Sequence, residues 1–412
     1  MGVKLGHKRT EVGVIPDGWS SCPLGQAGQW VSGGTPSLKN PTYWSGDIPW
    51  VSPKDMKAVR LWDAIDHISY EAVSNGAKVL PAGTILLVVR GMILAHSFPV
   101  ARAERPLSTN QDVKALSTRE DLDSNFVLYW LIANGQRLRG LTTESSHGTK
   151  RLPTEALFEE EIAYPPLPEQ RAIATALTDV DALLTQLDRL IAKKRDIKQA
   201  VMQQLLTGKT RLPGFGGEWG KTTLGALATF FKGKGLPKDH INEFVGQPCI
   251  HYGELFTHYG ETITEVRGRT THTSSVFRSE ENDVLMPTSD VTPTGLAKAS
   301  CVRANGIVLG GDILVIRTDK RRVHGSFLSY LIRSSKDQIL QLVTGTTVFH
   351  LYGSDMAKFE LLLPGLAEQT AIATLLSDLD AELSALDARR DKTRALKQGM
   401  MQELLTGRTR LI

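Results

Sequence analysis

The chain has 412 residues, 41% hydrophobic and 22% charged, an ordinary balance for two or three globular domains. Its formal net charge of +4 permits a polyanionic partner without requiring one. No apolar run approaches the ~18 residues of a membrane-spanning helix, so no membrane contact is expected. Residues 1–13 carry no apolar signal core, and Gly6 stands where a myristoylation signal needs Ser or Thr. Cys22, Cys249 and Cys301 are odd in number and widely spaced, which excludes a disulfide framework and a zinc site and points to reduced thiols in a cytoplasmic protein.

In chain order, residues 1–14 are expected to form a loose lead-in. A first globular domain (1–163) opens at Val14-Ile15-Pro16-Asp17-Gly18-Trp19. Its Gly33-Gly34-Thr35-Pro36-Ser37 and Tyr43-Trp44-Ser45-Gly46-Asp47-Ile48-Pro49-Trp50 strings predict short strands and loops. Residues 83–89 predict a buried strand, and residues 126–139 an amphipathic helix. A helical segment (164–212) follows, then a second globular domain (213–362) and a second helical segment (363–412). The second domain echoes the first weakly. Trp219, Leu224 and Gly225 keep the spacing of Trp19, Leu24 and Gly25, and residues 327–339 echo the 126–139 helix. Gly148-Thr149-Lys150-Arg151-Leu152 precedes one helical segment, and Gly345-Thr346-Thr347-Val348-Phe349-His350-Leu351 precedes the other.

Residues 165–212 return, without a gap, as 364–411, with about 28 of 48 positions identical. Within each copy apolar residues step by four and three, as along a coiled-coil seam: Ile173, Leu177, Val180, Leu184, Leu187 and Ile191, then Ile372, Leu376, Leu379, Leu383 and Leu386. Pro168 suits a first turn, and Gly208 and Gly407 suit the stop. From 169 to 207 such a helix is about 60 Å long. The seam then turns polar at Lys194 and Lys198, and at Arg390, Thr393 and Lys397. Either these residues fix the register or the helices diverge there and the lysines are solvated. Acids fill the first half of each copy and bases the second, so an antiparallel pair sets acid against base. The expected fold is α+β: two globular α/β domains separated by two long antiparallel helices (a coiled coil) in a pseudo-two-fold duplicated arrangement. Ile173 lying beside Ile372 would contradict it.

Catalytic signatures are missing. Gly214-Phe215-Gly216-Gly217-Glu218-Trp219-Gly220-Lys221-Thr222 imitates a phosphate-binding loop, but Phe215 occupies the position of its first glycine and no strand precedes it. Asp55-Met56-Lys57, with Asp47 upstream, imitates a nuclease spacing that is common by chance. His240, His251, His258 and His272 share no metal-ligand spacing. We therefore expect no catalytic residue, no metal and no cofactor on this chain. Phosphate neutralisation requires Lys and Arg, which are scattered: Lys54, Lys57, Arg60, Arg90, Arg102 and Arg105 in the first domain, and Lys232, Lys234, Lys238, Arg267, Arg269, Lys320, Arg321 and Arg322 in the second. Any one of these is more often a solvated surface charge than a DNA contact.

The duplicated PLPEQRAIATAL…LLTGKTRL segment, with Thr10-Glu11-Val12-Gly13-Val14-Ile15-Pro16-Asp17-Gly18-Trp19, Gly34-Thr35-Pro36-Ser37, Gly46-Asp47-Ile48-Pro49-Trp50 and Asn110-Gln111-Asp112, resembles the DNA-specificity (S) subunit of type I restriction–modification systems over nearly the whole chain. The second repeat departs at Gly365 and Ala367, where the first has Pro166 and Pro168. The resemblance implies two target-recognition domains, each reading half of a split site in double-stranded DNA, with Thr35 and Ser37 joining the candidate contacts. It also implies that the helices set the unread spacer and dock two adenine methyltransferase (modification) subunits that use S-adenosylmethionine. Restriction subunits using ATP and magnesium are the further implied partners, and this chain itself is non-catalytic. The competing reading is a coiled-coil scaffold that joins two protein partners and never touches DNA.

Overall fold

The computed structural model describes residues 6–144 and 148–411. The expected loose lead-in is corrected over its described part. His7–Thr10 and Gly13–Pro16 form an antiparallel hairpin, because Gly13 takes a positive φ of 106° at the turn and Ile15 is buried in the core below. Residues 1–5 of that lead-in lie outside the described residues.

Two compact units divide the chain: residues 1–187 with 389–412, and residues 188–388. The sequence boundaries at 163/164, 212/213 and 362/363 follow secondary structure. The units follow packing instead, and they cut through the middle of each long helix, Leu167–Leu205 and Leu366–Leu404. The physical reason is burial. In the first unit Ile173, Ala174 and Leu177 share one core with Met401, Leu404 and Leu405; in the second, Ile372, Ala373 and Leu376 share one with Leu205 and Leu206. Each helix has 39 residues, about 58 Å at 1.5 Å per residue. Both begin two residues before the expected start, at equivalent positions, so Gly365 and Ala367 do not move the second start. Both end before a glycine at positive φ, Gly208 (70°) and Gly407 (71°).

In the first unit a five-stranded sheet runs Gly28–Ser32, Val113–Thr118, Ile85–Val88, Val100–Ala103, Arg60–Leu61. All neighbours are antiparallel except the last pair. Ile85–Val88 is the strand expected over 83–89, buried at every residue. Ile85 and Leu87 face a core with Trp19, Phe126 and Leu157; Leu86 and Val88 face a second core with Val51, Met56 and Leu94. A parallel pair, Ile48–Val51 with Ser108–Thr109, lies beyond.

The second unit repeats the order with Ala228–Lys232, Ile313–Thr318, Val284–Pro287, Ser300–Val302 and Thr262–Ile263, again parallel only at the last pair. Its parallel pair is Gln247–Ile250 with Val308–Leu309. Trp19 meets Phe126 edge-on at 6.5 Å, and Trp219 meets Phe327 at 6.2 Å. The helix expected at 126–139 is two helices, Ser124–Ala133 and Gly135–Gly140. Asn134 breaks it, its side-chain amide donating to the Trp130 carbonyl. Its echo is likewise broken at Ser335, between Gly325–Ser334 and Lys336–Leu342.

Candidate nucleic-acid interface

In each five-stranded sheet the strand ends line up along two opposite edges, and one of these is closed by helix. In the first unit the Gln170 side-chain amide donates to the Asp121 and Pro165 carbonyls, and its oxygen accepts from the Asp123 N–H. Asp123 in turn caps the Ser124–Ala133 helix. In the second unit Gln369 makes the same three bonds to Arg322, Pro364 and His324. His324 caps Gly325–Ser334 through Nδ1, which accepts from the Phe327 N–H. Burial and the nearby Arg303 lower the pKa of this imidazole, which favours the neutral, accepting form.

Paired charges reinforce this closure. In the first unit Asp181 accepts from Lys397 at 2.6 Å and from the Tyr129 hydroxyl at 2.9 Å, with the ammonium 5.3 Å from the Tyr129 ring centroid. In the second, Asp380 accepts from Lys198 at 2.5 Å and from Tyr330 at 2.6 Å, with the ammonium 5.4 Å from that ring. Glu169, almost wholly buried, takes a two-pronged bond from Arg410, and Glu368 takes one from Arg211. Within each unit these pairs step forward along one helical segment and backward along the other, so the two segments run antiparallel. Lys198 and Lys397 are therefore paired, not solvated.

The opposite edge is made of loops. In the first unit Gly28–Ser32 ends there, Val113–Thr118 begins there and Ile85–Val88 ends there. Gly33 approaches so closely that a Cβ would lie 2.2 Å from the Thr109 carbonyl oxygen. The Thr35 hydroxyl donates to Gln111 Oε1 at 2.7 Å, and Trp50 donates to the Gly34 carbonyl at 2.9 Å. Lys114 reaches Ser32, and Asn110 bonds the end of the parallel strand at Val51. The 52–57 turn leaves that strand at the same edge. Arg90 follows Ile85–Val88 and pairs with Arg151, from the antiparallel strand pair Thr143–Glu144 and Lys150–Arg151.

The second unit builds the same edge from other residues. Gly233 touches the Gly310 carbonyl, Lys234 N–H donates to Leu309, and Thr288 N–H donates to Asp312, as Val89 N–H does to Asp112. Ser289 pairs with His350 where the first unit has Arg90 and Arg151. Burial pushes the His251 imidazole pKa down, against Glu254 and Asp312, which favour charge, and with Lys238, which opposes it.

The structure thus brings Thr35, Lys54, Lys57 and Arg90 to one loop edge, and Lys234 and Lys238 to its counterpart. Ser37 is exposed on the same glycine-started loop and its carbonyl accepts from Asn40 and Trp44. Lys54 is partly committed to Asp66 at 2.7 Å. Arg102 belongs elsewhere: it pairs with the start of Ile85–Val88, and its guanidinium bonds Glu104 and Ser124 beside Arg60, which itself reaches Thr178 of the first long helix. Arg321 and Arg322 follow Thr318, at the far end of a six-residue strand from Lys234, about 17 Å away along it. Arg321 holds Asp319, and the Arg322 carbonyl serves Gln369.

Of the seam residues, Ile173, Leu177, Leu187, Ile191, Ile372 and Leu376 are buried, and Val180, Leu184, Leu379, Leu383 and Leu386 are half-buried. Gln111, Lys114, Arg151, Ser289 and His350 join this edge although no residue pattern in the sequence marks them as contacts. The strings 148–152 and 345–351 were visible before each long helix, but strand order alone places them on this edge. Asp55 is structural, accepting from Ser52 and the Ile65 N–H, and no metal-holding group exists among the described residues.

A family model described as the type I restriction modification DNA specificity domain matches residues 16–198 and 217–393. The EcoR124I/EcoR124II specificity subunit of Escherichia coli is 30% identical over 178 residues, covering 43% of this chain and 44% of that protein. The MjaIX specificity subunit of Methanocaldococcus jannaschii is 35% identical over 182 residues, 43% of this chain and 41% of that one. The chain thus spans less than half the length of these two relatives. The S subunit of a type I system from M. genitalium has the same fold, with TM-score 0.61 and 16% identity over 94% of this chain and 96% of that one. With its two halves each matched by the family model, the chain belongs to the type I restriction–modification DNA specificity family.

Proposed function

We propose that the chain is the DNA sequence-specificity subunit of a type I restriction–modification complex, each unit reading one half of a split target through its loop edge. The observation that carries this reading is the contrast between the edges of each sheet. The closed edge is made by equivalent residues in both units: Gln170 and Gln369, Asp181 and Asp380, Lys397 and Lys198. The open edge has equivalent backbone but different side chains, which suits two readers of different sequence on one scaffold.

The two long helices pair as an antiparallel coiled coil under pseudo-two-fold symmetry and set the unread spacer. Two readers on one face of DNA stand about 34 Å apart per helical turn, within reach of a helix of about 58 Å. Linkage raises the effective concentration of the second half-site reader once the first has bound. The helices also dock two modification subunits, which bring S-adenosylmethionine, and restriction subunits bring ATP and magnesium; this chain is non-catalytic and works in the cytoplasm. Phosphate contacts from Lys57 and Lys234 give affinity, and loop side chains give sequence.

Exchange of residues 213–362 for the corresponding lobe of a relative tests this. One half of the recognised sequence changes while the other half and the gap stay fixed. Alteration of both halves, or of neither, refutes the assignment of one half-site per unit.

A further inference from the structure

In the first unit Arg90 and Arg151 face each other across an antiparallel bridge. The Gly91 N–H donates to the Lys150 carbonyl and the Leu152 N–H to the Val89 carbonyl. The two arginines are therefore the non-hydrogen-bonded pair, whose Cα atoms approach to about 4.5 Å and whose side chains leave on one face. Both residues are exposed, and among the described residues neither guanidinium has a hydrogen-bond or ion-pair partner. The carboxylate of this strand pair, Glu144, is taken by Lys150. Like charges set directly opposite each other destabilise a strand pair. Other arginines of this unit are spent on structure: Arg60 and Arg102 on Glu104, Arg119 on Asp121, and Arg137 on Glu160. A bare like-charge pair at this one place is a cost to folding that an acceptor-rich ligand would relieve.

The location narrows the ligand. Arg151 sits on a strand paired with Thr143–Glu144 at the open edge of the sheet, and two paired strands have a width that fits the major groove of DNA. A guanidinium presents parallel donors that match the O6 and N7 acceptors of guanine, the commonest base-specific contact. The same backbone position in the second unit holds Ser289 and His350, with Leu351 N–H donating to the Thr288 carbonyl as Leu152 N–H does to Val89.

We propose that Arg90 and Arg151 read guanine in the major groove of the half-site bound by the first unit, and that the second unit, with Ser289 and His350 there, has no such arginine-read guanine at the equivalent place. This rests on the function proposed above.

The test uses the full chain, with its modification subunits, carrying Arg90→Ala, Arg151→Ala or Arg90→Lys. Methylated adenines are mapped in cellular DNA, and binding to targets substituted one base pair at a time is measured. Both residues are exposed, and a thermal melt confirms that the variants stay folded. Each alanine variant is expected to lose about 10- to 100-fold discrimination at a guanine of the first half-site, with the second half-site unchanged. Arg90→Lys is expected to recover only part of it, since an ammonium cannot make the paired bonds. Uniform weakening across all sequences, with a shallower salt dependence, would identify phosphate contacts and overturn the assignment. A first half-site lacking guanine would overturn it too. A wild-type complex that methylates no split motif fails one step earlier, and both readings fall together.

Discussion

Replacing Arg410 by Met removes one end of a contact that joins residues 241 positions apart in sequence. Its guanidinium bonds both oxygens of Glu169, at 2.5 and 2.6 Å, and the Glu169 side chain keeps only 3% of its surface exposed. Breaking a buried pair by removing one partner costs ~3–5 kcal/mol, mostly for the stranded charge. Arg410 keeps 38% of its side chain exposed, so water already screens that end, and we expect a loss of about 2 kcal/mol. For a unit of roughly 200 residues this lowers the melting temperature by about 4–8 °C. Six of the seven tryptophans, all but Trp219, lie in the first unit, so their fluorescence during urea or thermal unfolding reports mainly on it. Adding Glu169→Gln to Arg410→Met removes the stranded charge and is expected to recover about 1 kcal/mol. A loss under about 0.5 kcal/mol, with no coupling between the two substitutions, would refute the view that the segment carrying Arg410 completes the first unit.

Other outcomes follow from the same geometry. Tyr129→Phe removes the hydroxyl that serves Asp181 and is expected to cost about 1 kcal/mol in the same unfolding assay. Burial pushes the Tyr129 phenol up to about 12, above its value in the unfolded chain. Its stabilising contribution is thus intact below about pH 10 and is lost as pH rises through about 12, which unfolding at stepped alkaline pH will show. Gly33→Ala drives a methyl against the Thr109 carbonyl and is expected to cost about 2 kcal/mol and to impair the first half-site before the second. Lys57→Ala should lower the slope of log affinity against log salt by about 0.9 without changing the preferred sequence, if it contacts one phosphate. Inserting four residues in the middle of both long helices lengthens each by about 6 Å and is expected to widen the spacer while leaving both half-sites intact.

The long helices were legible because a gapless repeat, a stepped apolar pattern and glycine stops all agree, and their ends fall within two residues of expectation. The charge gradient anticipated Lys397 on Asp181 and Lys198 on Asp380. Amphipathic spacing, however, says that a face is buried and not what buries it. Ile173 and Leu177 pack against Trp19 and Phe126 of the lobe as well as against Met401 and Leu404. Of the two answers left open for the polar stretch, the lysines found acids far along the chain, Lys194 on Glu382, Lys198 on Asp380 and Lys397 on Asp181, whereas Thr393 bonds the Arg389 carbonyl of its own helix. The helix break falls at Asn134-Gly135, a turn signal that the apolar spacing of 126–139 outweighed in the sequence.

The loop edge was the least legible part. Arg90 and Arg102 are the same residue type near neighbouring strands, and only strand order places one on the open edge and the other beside Glu104. The glycine string at 33–34 marked a turn correctly, while its purpose, close approach to Thr109, required the fold. Gln111 lay inside the Asn110-Gln111-Asp112 string and still escaped the candidate set, since its bond to Thr35 spans 76 positions.

The most direct test of the account is a map of methylated adenines in DNA from cells expressing this chain with its modification subunits, compared with cells lacking the chain. A split motif with two defined halves and a fixed unread gap, present only with the chain, is the expected result. An active modification subunit that leaves no such motif, or the same motif without this chain, would contradict it.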